Sequence, residues 1–383
     1  MILIVKGSRR SVQPGGDLPD NGSTACAIHL KKRGMPEYDG GRNQYALEVS
    51  GLIIHEAKEG TYQGERAIVL KYGAYSAILL PRLGGNLVAF RDDEKGWRFL
   101  REPSEEEFAD FAKSPKVHGI PVLVPPNRYD GGRFAWNGRQ YEFPVNEPET
   151  GNHLHGFAAD TEWTVTGFGS DESKSWVQVK LAFDETHPFH RHFPHKFSLT
   201  LTYVLSGDGL TQKVEAVNEG RDAMPFMLGF HTAVNAPFAP GSTRDDIAVR
   251  VTIGERWELD GRMLPTGRKL ALSEGEARMA AGEGDPYFED LDNHYTAAPQ
   301  GGRNFAEIAD RKAGVRFVYD AGLKYRHWMI WNNKSNGRFF CPEPQTNMVN
   351  APNVNLPAEE TGVITLKPGE TWSETSRLYV EKL

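Results

Sequence analysis

Apolar and polar positions alternate along most of this chain with a period of two. The pattern is clear in A-I-V-L-K-Y (67–72), Y-S-A-I-L-L (75–80), W-V-Q-V-K-L-A-F (176–183), F-S-L-T-L-T-Y-V-L (197–205), Q-K-V-E-A-V (212–217) and I-A-V-R-V-T-I (247–253). Successive side chains of a strand point to opposite faces, so this period predicts strands that bury one face. Turn signals L-G-G-N, S-G-D-G, N-E-G and K-P-G-E separate the runs. A helix-like stretch lies at Ser104–Lys113, S-E-E-E-F-A-D-F-A-K, where Ser104 and the acids that follow suit a helix start. Many short strands with so little helical pattern predict an all-β fold, a large antiparallel β-sandwich. The absence of a repeat of about 40 residues disfavours a propeller.

The alternation starts late. Residues 1–42 carry G-S-R-R, Q-P-G-G-D, N-G-S-T and D-G-G-R, breakers and charges without a lasting apolar period, and are expected to lack fixed structure. Met35 opens M-P-E-Y-D-G-G-R just before the first credible strand. The expected true start is therefore Met35, with an upstream extension before it. Residues 43–383 are expected to form one domain, and at 39% hydrophobic content the chain can bury a sizeable core.

Charge and cysteine content narrow the function. A net charge of −7 argues against nucleic acid or an anionic membrane as partner, because such surfaces call for excess Lys and Arg; a neutral small molecule fits better. No apolar run reaches the length of a membrane span, and M-I-L-I-V-K-G-S-R-R places its apolar residues before its charges, the reverse of a secretory signal. With Cys26 and Cys341 as the two cysteines, the expectation is a reducing, cytoplasmic setting without a structural disulfide. Cys341 reads as a small apolar filler rather than a nucleophile. The pattern marks no surface for self-association, so oligomeric state is open.

Three separated segments carry candidate chemistry. P-N-R-Y-D-G-G-R followed by G-N-H-L-H-G-F supplies Asn127, Arg128, His153 and His155; M-L-G-F-H-T-A-V-N supplies His231; C-P-E-P-Q-T-N supplies Glu343. In this order they resemble the aldose 1-epimerase (galactose mutarotase) family, and the resemblance extends from L-P-R-L-G-G-N-L-V-A-F-R to G-V-I-T-L-K-P-G-E-T. It implies the galactose mutarotase-like supersandwich and a monosaccharide as the small-molecule partner.

The chemistry so implied is interconversion of the α and β anomers of a free hexose. A proton leaves the anomeric hydroxyl O1 while the ring oxygen O5 gains one, the hemiacetal opens to an aldehyde, and closure from the other face inverts C1. The minimum toolkit is a base and an acid on opposite sides of the ring, and no cofactor or metal is expected. The resemblance makes Glu343 the base, His231 the acid and His155 an assisting donor. It places Arg128, with Asn127 beside it, on sugar hydroxyls, where the guanidinium fork suits paired oxygens. Asp292 in D-L-D-N-H-Y would grip hydroxyls at the far end, with Asp290 as the competing register. Trp331 and Tyr295 could line the ring, although core packing is the favoured reading of both aromatics. The chain departs from the family after His231, where Thr232 and Ala233 replace the usual Pro and aromatic, and at Phe157, which replaces a Gly.

Two other readings stay open. A hexose-6-phosphate 1-epimerase would need basic residues at the pocket rim, for which Arg133, Arg139 and Arg338 are the candidates. A sugar-binding or sensing protein would keep the pocket without turnover. H-P-F-H-R-H-F-P-H gathers His187, His190, His192 and His195; Pro188 and Pro194 make this a solvated loop rather than a metal site.

Overall fold

The alternating runs become strands of three main antiparallel sheets in a computed structural model, which describes residues 54–383. The segment 1–42, the Met35 start and Cys26 lie outside the described residues. A five-stranded sheet runs in chain order through His55–Tyr62, Glu65–Tyr72, Tyr75–Leu80, Asn86–Asp92 and Trp97–Arg98. An eight-stranded sheet is ordered Thr164–Asp171, Lys174–Phe183, Phe197–Ser206, Gly209–Asn218, Thr371–Lys382, Val315–Asp320, Phe305–Asp310 and Ile247–Val251. Its middle is closed by Thr371–Lys382, antiparallel to Gly209–Asn218 on one side and to Val315–Asp320 on the other.

Burial follows the alternation. Along Lys174–Phe183 the side chains of Val177, Val179, Leu181 and Phe183 are buried while Gln178, Lys180 and Ala182 between them face outward. An aromatic cluster fastens the first sheet to the second: Phe99 stacks on Phe317 with centroids 4.8 Å apart, and Phe90 and Phe238 pack at its sides. Burying a Phe completely is worth roughly 1.5–3 kcal/mol, so these four rings rank among the strongest links between the sheets.

The third sheet is ordered Pro265–Leu270, Ile253–Leu259, Asp292–Ala297, His327–Trp331, Phe339–Gln345, Gly229–Phe230 and Val122–Leu123, with Val234–Asn235 also pairing with Phe339–Gln345. The run 247–253, expected as one strand, divides between sheets at Thr252. Its hydroxyl donates to Asn304 Oδ1 at 2.8 Å and accepts from the Phe305 amide at 2.9 Å. Local alternation is blind to this, because both halves have the same period.

The expected helix forms as Phe108–Lys113, preceded by reciprocal contacts in which the Glu107 amide donates to Ser104 Oγ and the Ser104 amide to the Glu107 carboxylate. A longer helix, Glu274–Ala281, was not expected. Its signal was present in S-E-G-E: Ser273 Oγ accepts from the Glu276 amide, and the Glu276 carboxylate accepts from the Ser273 amide at 2.7 Å. Glu276 is fully buried and also accepts from the Tyr295 hydroxyl at 2.6 Å. Ser273→Ala should therefore lower unfolding stability by about 1 kcal/mol, read from urea denaturation; no change would show that the cap is unimportant. Among the described residues no helix is long and apolar enough to cross a membrane.

Candidate active site

Cross-strand register assembles the site on one face of the third sheet. Asp292 pairs with Trp331, Trp331 with Cys341, and Met329 with Glu343. Directly paired residues share a face and the period is two, so Asp292, Trp331 and Glu343 project together. Tyr295 lies on the other face, fully buried, in agreement with core packing rather than ring contact. Pro342 and Pro344 flank Glu343 in the middle of this sheet, where missing N–H groups are normally costly. The pairing of Arg326 N with Gln345 O turns residues 341, 343 and 345 toward His327–Trp331. The two prolines therefore face the two-residue strand Gly229–Phe230, whose pairing with this strand is confined to Gly229 and Gln345.

Glu343 and His231 are in direct contact. The His231 Nε2 lies 3.2 Å from Glu343 Oε1, and both side chains are buried. Burial, reinforced by the charge of Asp292, raises the Glu343 carboxyl well above the usual carboxylate range, although Arg128 pulls the other way. Burial lowers the His231 imidazole to about 4. Both shifts push the same way, each group being driven toward its uncharged form. Gln345, two residues along the same strand, donates to Glu343 Oε2 at 3.5 Å. Trp331 meets the His231 ring edge to face at 5.4 Å.

His155 completes this group, 5.5 Å from His231 between ring centroids. It adopts φ +66°, and Asn127 opposite it φ +62°. The two residues are clasped: the His155 amide donates to Asn127 O at 3.0 Å, and the Asn127 amide donates to His155 Nδ1 at 3.3 Å. An accepting Nδ1 places the ring proton on Nε2. Burial, together with His231 and Arg128, lowers the His155 pKa well below its usual value, so the ring is a neutral donor. His153 is parted from it by the turn after Leu154; its Nδ1 pairs with Pro144 O at 2.7 Å and its ring packs on Phe143. Asn127 uses its side-chain oxygen on the Arg128 amide at 3.0 Å.

Arg128 sits between two carboxylates. Its Nε and Nη2 each donate to Glu147 at 2.9 Å, while Nη2 reaches Asp292 Oδ2 at 3.3 Å. The expected free fork for paired sugar oxygens is therefore occupied on one edge by Glu147, and Nη1 is the nitrogen without a hydrogen-bond partner among the described residues. Asp292 is half-buried beside Arg128, whereas Asp290 is exposed, which favours the Asp292 register. Burial raises the Asp292 pKa against the pull of Arg128. In Glu147 burial is outweighed by Arg128 and Thr150, and its pKa is lowered.

Glu147 and Gln345 escaped the sequence reading. Alternation from Glu343 could have found Gln345, but nothing local marks Glu147, which meets Arg128 only through the fold. Cys341 is buried against Ala233 and Phe339, as a filler would be. Arg133 is taken by Glu142 at 2.7 Å and Arg139 approaches Asp222 at 3.5 Å, while Arg338 is exposed. The His-rich loop disperses its imidazoles, His187 to Thr161, His192 to Glu142 O and His195 to Tyr141. Among the described residues no group of three His, Cys, Asp or Glu is placed to hold a metal ion.

The aldose 1-epimerase family model matches residues 66–379. The crystal structure of a galactose mutarotase-like protein from Clostridium acetobutylicum is 34% identical with a TM-score of 0.82, covering 86% of this chain and 99% of that one. A galactose 1-epimerase from Lactobacillus acidophilus shares the fold at a TM-score of 0.65 and 17% identity, over 86% of this chain and 99% of its own. The Escherichia coli protein YphB is 24% identical over 283 residues, 69% of this chain and 84% of its own length.

Proposed function

The chain belongs to the aldose 1-epimerase family, and on that premise we propose that it interconverts the α and β anomers of a free hexose with Glu343 as base and His231 as acid. The observation that carries this reading is the buried contact between His231 Nε2 and Glu343 Oε1 at 3.2 Å. O1 and O5 are both bonded to C1, so a base and an acid that touch one another can reach both oxygens. In this reading the acid and base are adjacent rather than on opposite sides of the ring.

One proton arms the pair. Its transfer from Glu343 to His231 creates carboxylate and imidazolium in a single step, and Arg128, which favours the ionised Glu343, supports that state. The carboxylate takes the O1 proton while the imidazolium gives its proton to O5, and the C1–O5 bond breaks. The pair is then again a protonated Glu343 beside a neutral His231, so opening needs no proton from solvent. After rotation about C1–C2, Glu343 returns a proton to O1 and His231 accepts the one on O5 as the ring closes. His155, a neutral donor through Nε2, holds an adjacent oxygen, and Arg128 and Asp292 hold hydroxyls.

The test is polarimetry of freshly dissolved α-glucose and α-galactose at neutral pH with the purified protein. Acceleration that saturates with sugar is the expected result. Acceleration only of 6-phosphorylated glucose would replace this reading with the hexose-6-phosphate one. Calorimetric binding of a sugar without acceleration would make the protein a sensor.

A further inference from the structure

Resting on the epimerase reading, we propose that Glu147 is a positioning residue that keeps Arg128 off Asp292, so that both remain able to hold the sugar. Two carboxylates flank one guanidinium, and a guanidinium prefers a two-point pairing with a carboxylate. Glu147 takes that pairing along the Nε and Nη2 edge, both at 2.9 Å, and leaves Asp292 a single contact at 3.3 Å. Asp292 thereby retains acceptor oxygens for hydroxyls, and Arg128 retains Nη1.

Glu147 is built to hold its place. Its carboxylate also accepts from Thr150 Oγ1. Asn152 Nδ2 donates to that hydroxyl at 3.0 Å and to Arg262 O at 2.8 Å, and Arg262 Nη2 donates to Asn152 Oδ1 at 3.1 Å. The strand Asn152–Leu154 pairs with Arg128–Asp130, so Glu147 and Arg128 share one rigid frame. Asp292 approaches from the third sheet. Without the Glu147 charge, Asp292 is the best remaining partner for Arg128, and a closed pair between them would withdraw both from the substrate. Glu147 acts through Arg128 and does not touch the reacting atoms.

The test compares wild type, Glu147→Gln, Asp292→Asn and the double variant, with melting temperature as a check on folding. Glu147→Gln should raise KM about tenfold while kcat stays within about threefold, because a binding contact rather than the acid–base pair is lost. In the Asp292→Asn background the same change should move KM less than about threefold, since no carboxylate remains to capture Arg128. Additive effects, or a change confined to melting temperature, would reduce Glu147 to a structural role and overturn the inference. Should Glu147→Gln fail to fold, Thr150→Val loosens the same carboxylate and should shift KM in the same direction; an unchanged KM overturns the inference. Sugar binding, read in parallel by isothermal titration calorimetry, separates the two readings. Binding without turnover removes the epimerase reading and leaves the comparison of Kd values intact, whereas a wild type that neither binds nor turns over removes both.

Discussion

Glu343→Gln is expected to lower kcat on the order of a hundredfold or more while leaving the protein at least as stable as wild type at neutral pH. The amide keeps the shape of the carboxyl and cannot take the O1 proton. Stability follows from the direction of the Glu343 shift. Its pKa is raised in the folded protein by burial and by Asp292, so its contribution to stability is full below the usual carboxylate range and is lost as pH rises through the folded value. Gln has no such loss. The melting temperature of the variant should therefore gain on wild type as pH is raised from about 4 toward neutrality. Initial rates by polarimetry, with melting curves across that range, give both readings. A kcat within a few-fold of wild type would remove Glu343 as the base.

Gly156→Ala is expected to cost more than about 3 kcal/mol and to abolish the site. Gly156 has φ +62°, and a Cβ there would lie 2.0 Å from Val124 O and 2.3 Å from its carbonyl carbon. That contact is backbone against backbone, so no side chain can swing away. The bridge between Val124 and Gly156 holds the turn that places His155, which means Val124 or His155 must move. Gly138→Ala is the control, at φ +77° with nothing near its Cβ. It should incur only the left-handed backbone penalty of about 1–2 kcal/mol. Urea denaturation of the two variants decides the matter: equal losses would show that crowding at Gly156 is relieved cheaply.

The strands were legible because a half-buried strand writes its burial into every second residue, as Val177, Val179 and Leu181 do. Glu343 and His231 were singled out by the resemblance of C-P-E-P and L-G-F-H to the family's segments, and the fold brings the two side chains within 3.2 Å. What stayed hidden depends on contacts between distant segments. Thr252 divides one alternating run between two sheets because of Asn304 and Phe305, and Arg128 meets a carboxylate 164 positions away. Glu147 belongs to the same class: its neighbours in sequence are those of an ordinary polar turn. The motif ranked His155 over His153, but the parting of the two rings was hidden, since φ +66° at His155 turns the second imidazole away from the first.

The strand Thr371–Lys382 has a consequence for how the protein is made. It fills a gap between Gly209–Asn218 and Val315–Asp320, and both of those neighbours are synthesised earlier. Until it leaves the ribosome, each presents an unpaired edge with its buried face uncovered, the kind of edge that invites pairing with other chains. An edge left open until that strand emerges is a place where mispairing with other chains can begin.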